Sequence, residues 1–291
     1  MFMKKLFHLF LGIGILCLNI SCSEDDEGTP NGPSPLEEQT LLNISYGSHP
    51  QEVFDLYLPA GRSSQSTRVI MLIHGGGWTQ GDKSEMNAFV YQLKLTHPDY
   101  AIANVNYVLA NGDIKAFPHQ FLDIQAIIQK LTNEKEYYQI KPDFGLVGVS
   151  AGAHIALMYD SVYDTSNQVK FVADIVGPTN FEDPFYEEQF PLGGIYWYLV
   201  DQSAYPEGTN YLYELSPVNH IGNHTSPTAM FYGNEDPLVP VTNAHDLEAK
   251  LIQYNIPRTL KIYNGGHGNW SQTDLNDAWS IVNHYIETYL P

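Results

Sequence analysis

The sequence predicts an α/β fold with a mainly parallel, doubly wound sheet and helices on both of its faces. Strand-like and helix-like segments alternate from about residue 41 to the end, as they do where helices connect parallel strands. Strand-like segments such as residues 68–73 are apolar at successive positions, which is typical of strands covered on both faces. The chain of 291 residues, 43% of them apolar, is long enough to bury such a core.

The expected elements form an eight-stranded sheet with helices between most of the strands. The first two strands, residues 41–46 and 52–58, should pair antiparallel because the turn-rich residues 47–50 join them. The other strands are expected at residues 68–73, 100–107, 144–149, 171–176, 228–232 and 258–263. Helices are expected at residues 84–97, 118–138, 151–159, 241–254 and 273–290. The helix at 118–138 is the clearest, because its apolar residues recur at helical spacing.

One segment, residues 181–213, interrupts the alternation. It is rich in Phe, Tyr and Trp without clear periodicity, and it lies between two strands where a short crossover would suffice. The sequence therefore predicts an aromatic-rich cap insertion over the site. The alternative is that these aromatic side chains only pack the insertion onto the body.

The motif Gly148-Val149-Ser150-Ala151-Gly152 lies between the expected strand at 144–149 and the expected helix at 151–159. A G-x-S-x-G sequence in this context is typical of a nucleophile elbow, a strained turn that exposes the serine hydroxyl beyond the strand. The motif predicts that Ser150 is a nucleophile. His154, four residues later, is interpreted as a packing or hydrogen-bonding residue of the elbow helix.

A serine nucleophile needs a base, and the base needs a carboxylate that fixes its tautomer. Asp236 follows the strand at 228–232, and His267 lies in a glycine-rich loop after the strand at 258–263. Catalytic groups of open α/β sheets gather at the carboxyl ends of the strands, so both residues are expected near Ser150. Glu235 is the alternative acid, and Asp236 is favoured because an Asp-Pro turn fixes its direction.

Acyl transfer also needs donors for the oxyanion that develops on the attacked carbonyl. The sequence His74-Gly75-Gly76-Gly77-Trp78 directly follows the strand at 68–73, and glycines let backbone N–H groups approach a substrate closely. The expected donors are the N–H groups of Gly76, Gly77 and Ala151. A plain turn or a weak phosphate cradle is the alternative, but the G-x-x-x-x-G-K-[ST] spacing of nucleotide-binding loops is absent from the sequence.

Taken together, these motifs resemble the HGGG-type esterase/lipase group of α/β hydrolases. The resemblance rests on the segments 74–78, 81–83, 117–118 with Asp123, 148–152, 236–237 and 266–268, and it covers about residue 41 to the C-terminus. Within that group the chain is similar to the acetyl-xylan/feruloyl esterase-like branch and to arylformamidases. It departs from them at residues 107–111, Y-V-L-A-N, where Y-R-L-A-P is frequent, which leaves the acyl-group preference open.

The resemblance implies an α/β-hydrolase fold and a serine carboxylic-ester hydrolase with no metal or organic cofactor. Short-acyl or aryl esters are the expected substrates, with acetyl or feruloyl groups on polysaccharides as the leading example. The alternatives are an arylformamidase-like amidohydrolase and a catalytically silent binding lipoprotein. The net charge of −19 argues against nucleic acid as a partner, since nucleic-acid binding requires basic patches.

The N-terminal residues 1–21 have the pattern of a lipoprotein signal peptide. Lys4 and Lys5 form a basic segment, and residues 6–20 are uncharged and mostly apolar. A stretch of about fifteen residues is short for a membrane span and typical of a signal peptide.

Cys22 follows the small residue Ser21, as the lipidated cysteine of a bacterial lipobox does, although Asn19 stands where leucine is usual. The other cysteine, Cys17, follows a bulky leucine and is the poorer candidate. The alternative is that Cys22 is an ordinary residue after a conventional cleavage site. Both cysteines of the chain lie in or beside this segment, so the body needs no disulfide.

Residues 22–40 form an acidic, Pro/Gly-rich segment that is expected to be a solvated tether. Its acidic run at residues 23–27 resembles signals that send some lipoproteins to the outer face of the outer membrane, and a plain solvating linker explains it equally well. The expected location is the cell envelope, through a lipid anchor to a membrane.

Overall fold

A computed structural model describes residues 36–189 and 198–291 of the chain. The expected signal peptide, Cys22 and most of the tether lie outside the described residues, as does the middle of the insertion. Within the described part, no helix combines the length and the apolar character needed to cross a membrane.

The core of the structure is one eight-stranded sheet. Its strands are β1 (Gln39–Ser45), β2 (Val53–Leu58), β3 (Val69–Ile73), β4 (Ala101–Val105), β5 (Phe144–Val149), β6 (Val169–Ile175), β7 (Thr228–Gly233) and β8 (Arg258–Tyr263). They lie in the order β1-β2-β4-β3-β5-β6-β7-β8. β2 pairs antiparallel with β1 and β4, and all other pairs are parallel. The predicted mainly parallel α/β sheet is therefore confirmed.

Helices connect the parallel strands. They are α1 (Asn87–Thr96), α2 (His119–Asn133), α3 (Lys135–Tyr138), α4 (Ala151–Met158), α5 (Pro184–Gln189), α6 (Tyr211–Glu214), α7 (Val241–Gln253) and α8 (Gln272–Tyr289). Short 3₁₀ turns lie at Lys83–Met86, Gln202–Ala204 and Pro217–Asn219, and a π-helical turn at Tyr159–Tyr163 continues α4.

Several boundaries differ from the expected ones by a few residues, and two of the differences have a clear structural cause. The helix expected at 118–138 is two helices, because the backbone at Glu134 leaves the helical region (φ −101°, ψ 16°) between α2 and α3. β1 begins at Gln39, where Gln39 pairs with Leu58 and Thr40 with Tyr57. The last residues expected in the tether therefore belong to the sheet, where an exposed edge strand accepts polar side chains.

Two apolar clusters cover the two faces of the sheet, which explains why the central strands are apolar at every position. Alternate residues of β3 point to opposite clusters: Met71 joins the cluster under α2, α4 and α7, and Leu72 joins the cluster under α1 and α8. The chain order reverses between β3 and β5, since β3 leads to β4 on one side and β5 to β6 on the other. Loops at the carboxyl ends of strands on either side of such a point form a crevice.

Candidate active site

Ser150 occupies the sharp turn between β5 and α4. Its backbone has φ 54° and ψ −120°, a conformation that residues with a Cβ rarely adopt. The N–H of Ser150 donates to the carbonyl of Ile175 at the end of β6 (2.7 Å), which ties the turn to the sheet. The structure thus places Ser150 on a strained elbow, where the sequence motif predicted it.

The two glycines of the elbow allow the turn to pack against its neighbours. A Cβ on Gly148 would lie 2.5 Å from the Cα and N atoms of Ala153. A Cβ on Gly152 would lie 2.2 Å from the carbonyl oxygen of Ile73 and 2.4 Å from that of His74. Real Cβ atoms do not approach backbone atoms this closely, so both positions require glycine.

His267 bridges the serine and the acid. Its Nε2 lies 2.9 Å from the Ser150 Oγ, and its Nδ1 lies 2.6 Å from the Oδ2 of Asp236. Because Asp236 is an acceptor when ionised, Nδ1 carries the proton and the Nε2 lone pair faces the serine hydroxyl. This is the arrangement in which the histidine can take the serine proton.

The acid is held by backbone N–H groups of residues that closely follow it in the chain. The Asp236 side chain has no solvent exposure, and its Oδ1 accepts the N–H groups of Leu238 (2.8 Å) and Val239 (3.0 Å). The neighbouring Glu235 is exposed. Of the two acids considered from the sequence, Asp236 is the one that contacts His267.

The glycine loop after β3 lies beside the elbow. Gly76 has φ 114°, and a Cβ there would lie 2.0 Å from the carbonyl oxygen of Gln80, while Gly77 has φ 56° and lines the same cavity as Ser150. The carbonyl of Gly76 accepts N–H groups from within the loop. Ala151 opens α4, and the first N–H groups of a helix have no acceptor within it. The glycine loop and the start of α4 therefore both lie next to Ser150, and Gly77 lines the same cavity as the serine.

A cavity of about 310 Å³ opens at Ser150. Its walls are mostly apolar and aromatic, and they are formed by Gly77, Trp78, Thr79, Pro178, Phe181, Tyr186, Tyr198, Leu199, Leu238 and Val239. Several of these residues belong to the insertion expected at 181–213, whose described parts therefore form one wall of the cavity. Its residues 190–197 lie outside the described part of the chain.

Sequence reasoning missed the residues that hold the glycine loop from behind. The Tyr107 hydroxyl lies 3.0 Å from the carbonyl oxygen of His74 and 3.1 Å from that of Gly75, and its ring stacks on the His74 ring at 4.4 Å. The Gln120 amide donates to the carbonyls of Trp78 and Val108, both at 2.8 Å. Tyr107 begins the segment where the chain departs from its relatives, which was the only sequence signal.

Two buried carboxyl groups also lie near the site: Asp123, which the sequence motifs included without a role, and Asp174, which they did not include. Asp123 accepts the Val108 N–H (2.8 Å), and burial raises its pKa to about 6. Asp174, near the end of β6, accepts the Gly177 N–H (2.8 Å) and lies 2.5 Å from the Tyr232 hydroxyl; burial raises its pKa to about 7. Within residues 36–189 and 198–291, no cluster of three or more His, Cys, Asp or Glu side chains is arranged to hold a metal ion.

Known proteins resemble this chain in sequence. Esterase LipC of Mycobacterium tuberculosis (strain ATCC 25618 / H37Rv) is 20% identical over 239 residues, which are 77% of this chain and 59% of that protein. The kynurenine formamidase of Danio rerio is 30% identical over 138 residues, which are 45% of this chain and 44% of that protein. The chain spans about half the length of the curated relatives it matches.

Solved structures share the fold. A truncated form of a carbohydrate esterase from gut microbiota superposes with a TM-score of 0.66 at 16% identity, over 86% of this chain and 97% of that one. With the sheet order above, this likeness confirms the predicted α/β-hydrolase fold. The BD-FAE family model matches residues 54–251, a region that contains both Ser150 and Asp236. Since this match spans well over half of the sequence, the chain belongs to the BD-FAE family.

Proposed function

We propose that this protein is a serine carboxylic-ester hydrolase with Ser150, His267 and Asp236 as its catalytic residues. The observation that carries the proposal is the position of His267, which is hydrogen-bonded to both Asp236 and Ser150, the serine that lines an apolar cavity. Membership of the BD-FAE family and similarity to a curated esterase support the same reaction.

The first half of the reaction transfers the acyl group to the enzyme. The Ser150 Oγ attacks the ester carbonyl carbon while the His267 Nε2 takes the hydroxyl proton, and the carbonyl oxygen becomes an oxyanion. The N–H groups of Gly76, Gly77 and Ala151 stabilise that charge. The C–O bond to the alcohol then breaks, and His267 gives its proton to the departing alkoxide, which leaves as the alcohol.

The second half releases the acid. Water attacks the acyl carbon while His267 Nε2 takes a proton from it, and the Ser150–acyl bond breaks as that proton returns to Oγ. Throughout both halves, the Asp236 carboxylate accepts a hydrogen bond from the Nδ1–H of His267 and stabilises the imidazolium that forms twice. The two backbone N–H groups on Oδ1 of Asp236 keep its other oxygen directed at the ring.

The cavity supports short-acyl or aryl esters as substrates. Its volume of about 310 Å³ is at the small end for ligand sites, and its walls carry Trp78, Phe181, Tyr186 and Tyr198. Such walls suit a flat ring or a short chain, such as a feruloyl or an acetyl group, and the carbohydrate-esterase structure with the same fold supports a polysaccharide as the alcohol part of the ester.

The decisive experiment measures hydrolysis of 4-nitrophenyl acetate. The wild-type protein should turn it over, and Ser150→Ala should lower kcat by at least about 10⁴-fold. Ser66→Ala, at an exposed serine outside the site, is the matched control and should retain full activity. Unchanged activity in Ser150→Ala, with folding intact, would overturn the assignment.

The second candidate is an arylformamidase-like amidohydrolase, which the similarity to a kynurenine formamidase supports. The same residues would attack a formamide carbonyl and release an amine. Comparison of kcat/KM for N-formylkynurenine, methyl ferulate and acetylated xylan separates the candidates. A formamide rate that equals or exceeds the ester rates would favour this second candidate.

We further propose that the mature protein is lipidated at Cys22 and held in the cell envelope, with residues 22–38 as its tether. The support is the basic and apolar pattern before Cys22 and the polar composition after it. Palmitate labelling of the full chain in a bacterial host tests the anchor. Labelling should disappear in Cys22→Ala and persist in Cys17→Ala.

A further inference from the structure

His154 lies on α4, one turn after the nucleophile, and it is fully buried. Its Nδ1 lies 3.2 Å from the indole Nε1 of Trp78, which can only donate. Nδ1 is therefore the acceptor, and the remaining ring proton sits on Nε2, which donates to the carbonyl of Leu215 at 2.8 Å. One imidazole thus connects the loop after β3, the elbow helix and the segment that follows the insertion.

Trp78 has an unfavourable backbone conformation, which the hydrogen bond from its ring to His154 helps to hold. It follows Gly77 directly and has φ 62°, a conformation that is unfavourable for a bulky side chain. Strain of this kind persists only where the surroundings determine the conformation. The Trp78 carbonyl accepts the N–H of Ala110 (2.9 Å) and the side-chain amide of Gln120 (2.8 Å), and His154 fixes the ring.

Aromatic rings enclose the imidazole on its remaining sides. Phe117, Phe121 and Phe181 lie with their ring centroids 5.1–5.6 Å from that of His154. These apolar rings disfavour the charged form of the imidazole, so burial lowers the pKa of His154 to about 4. The imidazole is therefore neutral near pH 7, and Nδ1 keeps the lone pair that accepts the Trp78 N–H.

We propose that His154 is a positioning residue for the oxyanion-binding loop: its hydrogen bond to Trp78 holds the loop in the conformation that points the Gly77 N–H at the reacting carbonyl. Without the bond, Trp78 can relax from its left-handed conformation and rotate the peptide groups before it. The contacts of the bound substrate with the cavity walls remain, so only the stabilisation of the oxyanion in the transition state is lost, and kcat falls while KM changes little. This inference rests on the proposed function.

Three variants test the bond, with hydrolysis of 4-nitrophenyl acetate as the assay. His154→Phe keeps a ring of similar size but removes both hydrogen bonds, and kcat should fall roughly 100-fold, as for loss of one oxyanion donor, while KM changes less than about threefold. His154→Gln keeps one acceptor and one donor, and it should recover about tenfold of that loss. Trp78→Phe should lower kcat like His154→Phe, and the double variant should add little further loss.

The matched control is His97→Phe. His97 is also buried, and its ring is hydrogen-bonded to the side chain of Asn283 (2.9 Å). It lies before the start of β4, at the amino ends of the parallel strands, whereas Ser150 lies at their carboxyl ends. This variant should lose stability while its kcat stays near wild type. A purely structural role for His154 would give the same pattern in His154→Phe.

The outcomes separate the two proposals. If wild type is active, Ser150→Ala is inactive, and folded His154→Phe keeps its kcat, then the positioning role is wrong and the proposed function stands. Equal kcat losses in His154→Gln and His154→Phe would also overturn the role, as would additive losses in the double variant. If His154→Phe does not fold, Trp78→Phe decides: wild-type kcat overturns the role, and a lower kcat with KM changed less than about threefold supports it, since damage to the cavity wall would also raise KM. An inactive wild type would overturn the proposed function and the positioning role together.

Discussion

The elbow helix rests on the end of β3 with no space between them: a Cβ on Gly152 would lie 2.2 Å from the carbonyl oxygen of Ile73. This contact joins the two parts of the site, because β3 leads into the glycine loop and Gly152 follows the nucleophile by two residues. The distance between the Ser150 hydroxyl and the loop donors therefore depends on the absence of a side chain at position 152.

We expect Gly152→Ala to push α4 away from β3. The methyl group can meet only backbone atoms, which cannot turn aside, so the free energy of unfolding should fall by about 1–3 kcal/mol. The kcat for 4-nitrophenyl acetate should fall even under conditions where the variant is fully folded, because a shift of about 1 Å in the site can cost 100-fold in rate. Urea unfolding and steady-state kinetics measure the two effects.

Gly112→Ala is the matched control for this change. A Cβ at Gly112 would meet no atom within 4 Å, and its backbone does not have positive φ. Stability and kcat should both stay near wild type. Wild-type kinetics in Gly152→Ala would show that the helix can shift without disturbing the site.

Much of this site was predictable because its local motifs carry backbone requirements. Gly148 and Gly152 are needed where a Cβ has no room, and the order of Ser150, Asp236 and His267 follows the order of the strands that hold them. The carboxyl ends of parallel strands meet at one edge, so strand positions alone brought these residues close.

The supporting contacts were not predictable in this way. The acceptor of the His154 N–H is the carbonyl of Leu215, 61 residues further along the chain. Every residue has a backbone carbonyl, so the sequence does not indicate which one accepts a given hydrogen bond. A segment without periodicity also does not show how it aligns with the helix beside it. The helix break at Glu134 was missed because no glycine or proline marks it and the buried Tyr138 lies seven residues after Leu131, so only the backbone conformation shows the break.

The two neighbouring acids 235 and 236 should have unequal roles. Asp236→Asn should lower kcat by about 10⁴-fold, because an amide can donate to His267 and so favour the wrong tautomer. Glu235→Gln is the control at an exposed side chain, and its kcat should stay within about threefold of wild type. Steady-state kinetics on 4-nitrophenyl acetate at pH 7 distinguishes them. A larger loss in Glu235→Gln would reverse the assignment of the acid.

Acyl-chain preference should follow the size of the cavity wall at Val239. Its side chain is buried against the cavity, whereas only its backbone N–H serves Asp236. Val239→Ala should therefore raise kcat/KM for 4-nitrophenyl butyrate relative to the acetate by about tenfold, since each methylene is worth about 10–200-fold in a fitted pocket. Val162→Ala, on an exposed side chain, should leave the ratio unchanged. An unchanged ratio in Val239→Ala would mean that the acyl chain lies elsewhere.

The last prediction concerns Asp174 beneath the elbow. The oxygen of the Tyr232 hydroxyl lies 2.5 Å from Asp174 Oδ2 and 2.7 Å from the carbonyl oxygen of Gly177, yet the hydroxyl has one proton to donate. Both contacts become good hydrogen bonds when Asp174 is protonated and donates to Tyr232, which then donates to Gly177. This geometry agrees with a pKa for Asp174 that burial raises to about 7.

The stability of the fold should therefore depend on pH through Asp174. The ordinary pKa of 3.8 applies in the unfolded chain and a pKa of about 7 in the folded protein, so the folded state binds more protons between these values. Stability from this group is fully present below the lower pKa and is lost as pH rises toward 7. Asp174→Asn mimics the protonated acid and cannot titrate, so it removes this dependence.

Urea unfolding of wild type and Asp174→Asn at pH 5, 6, 7 and 8 measures the effect. The free energy of unfolding of wild type minus that of the variant should decrease by up to a few kcal/mol between about pH 5 and pH 8. The buried groups Asp160 and His154, whose pKa values burial also shifts, titrate in both proteins and cancel in the difference. A difference that stays constant with pH would mean that Asp174 is ionised throughout, with Tyr232 donating to it.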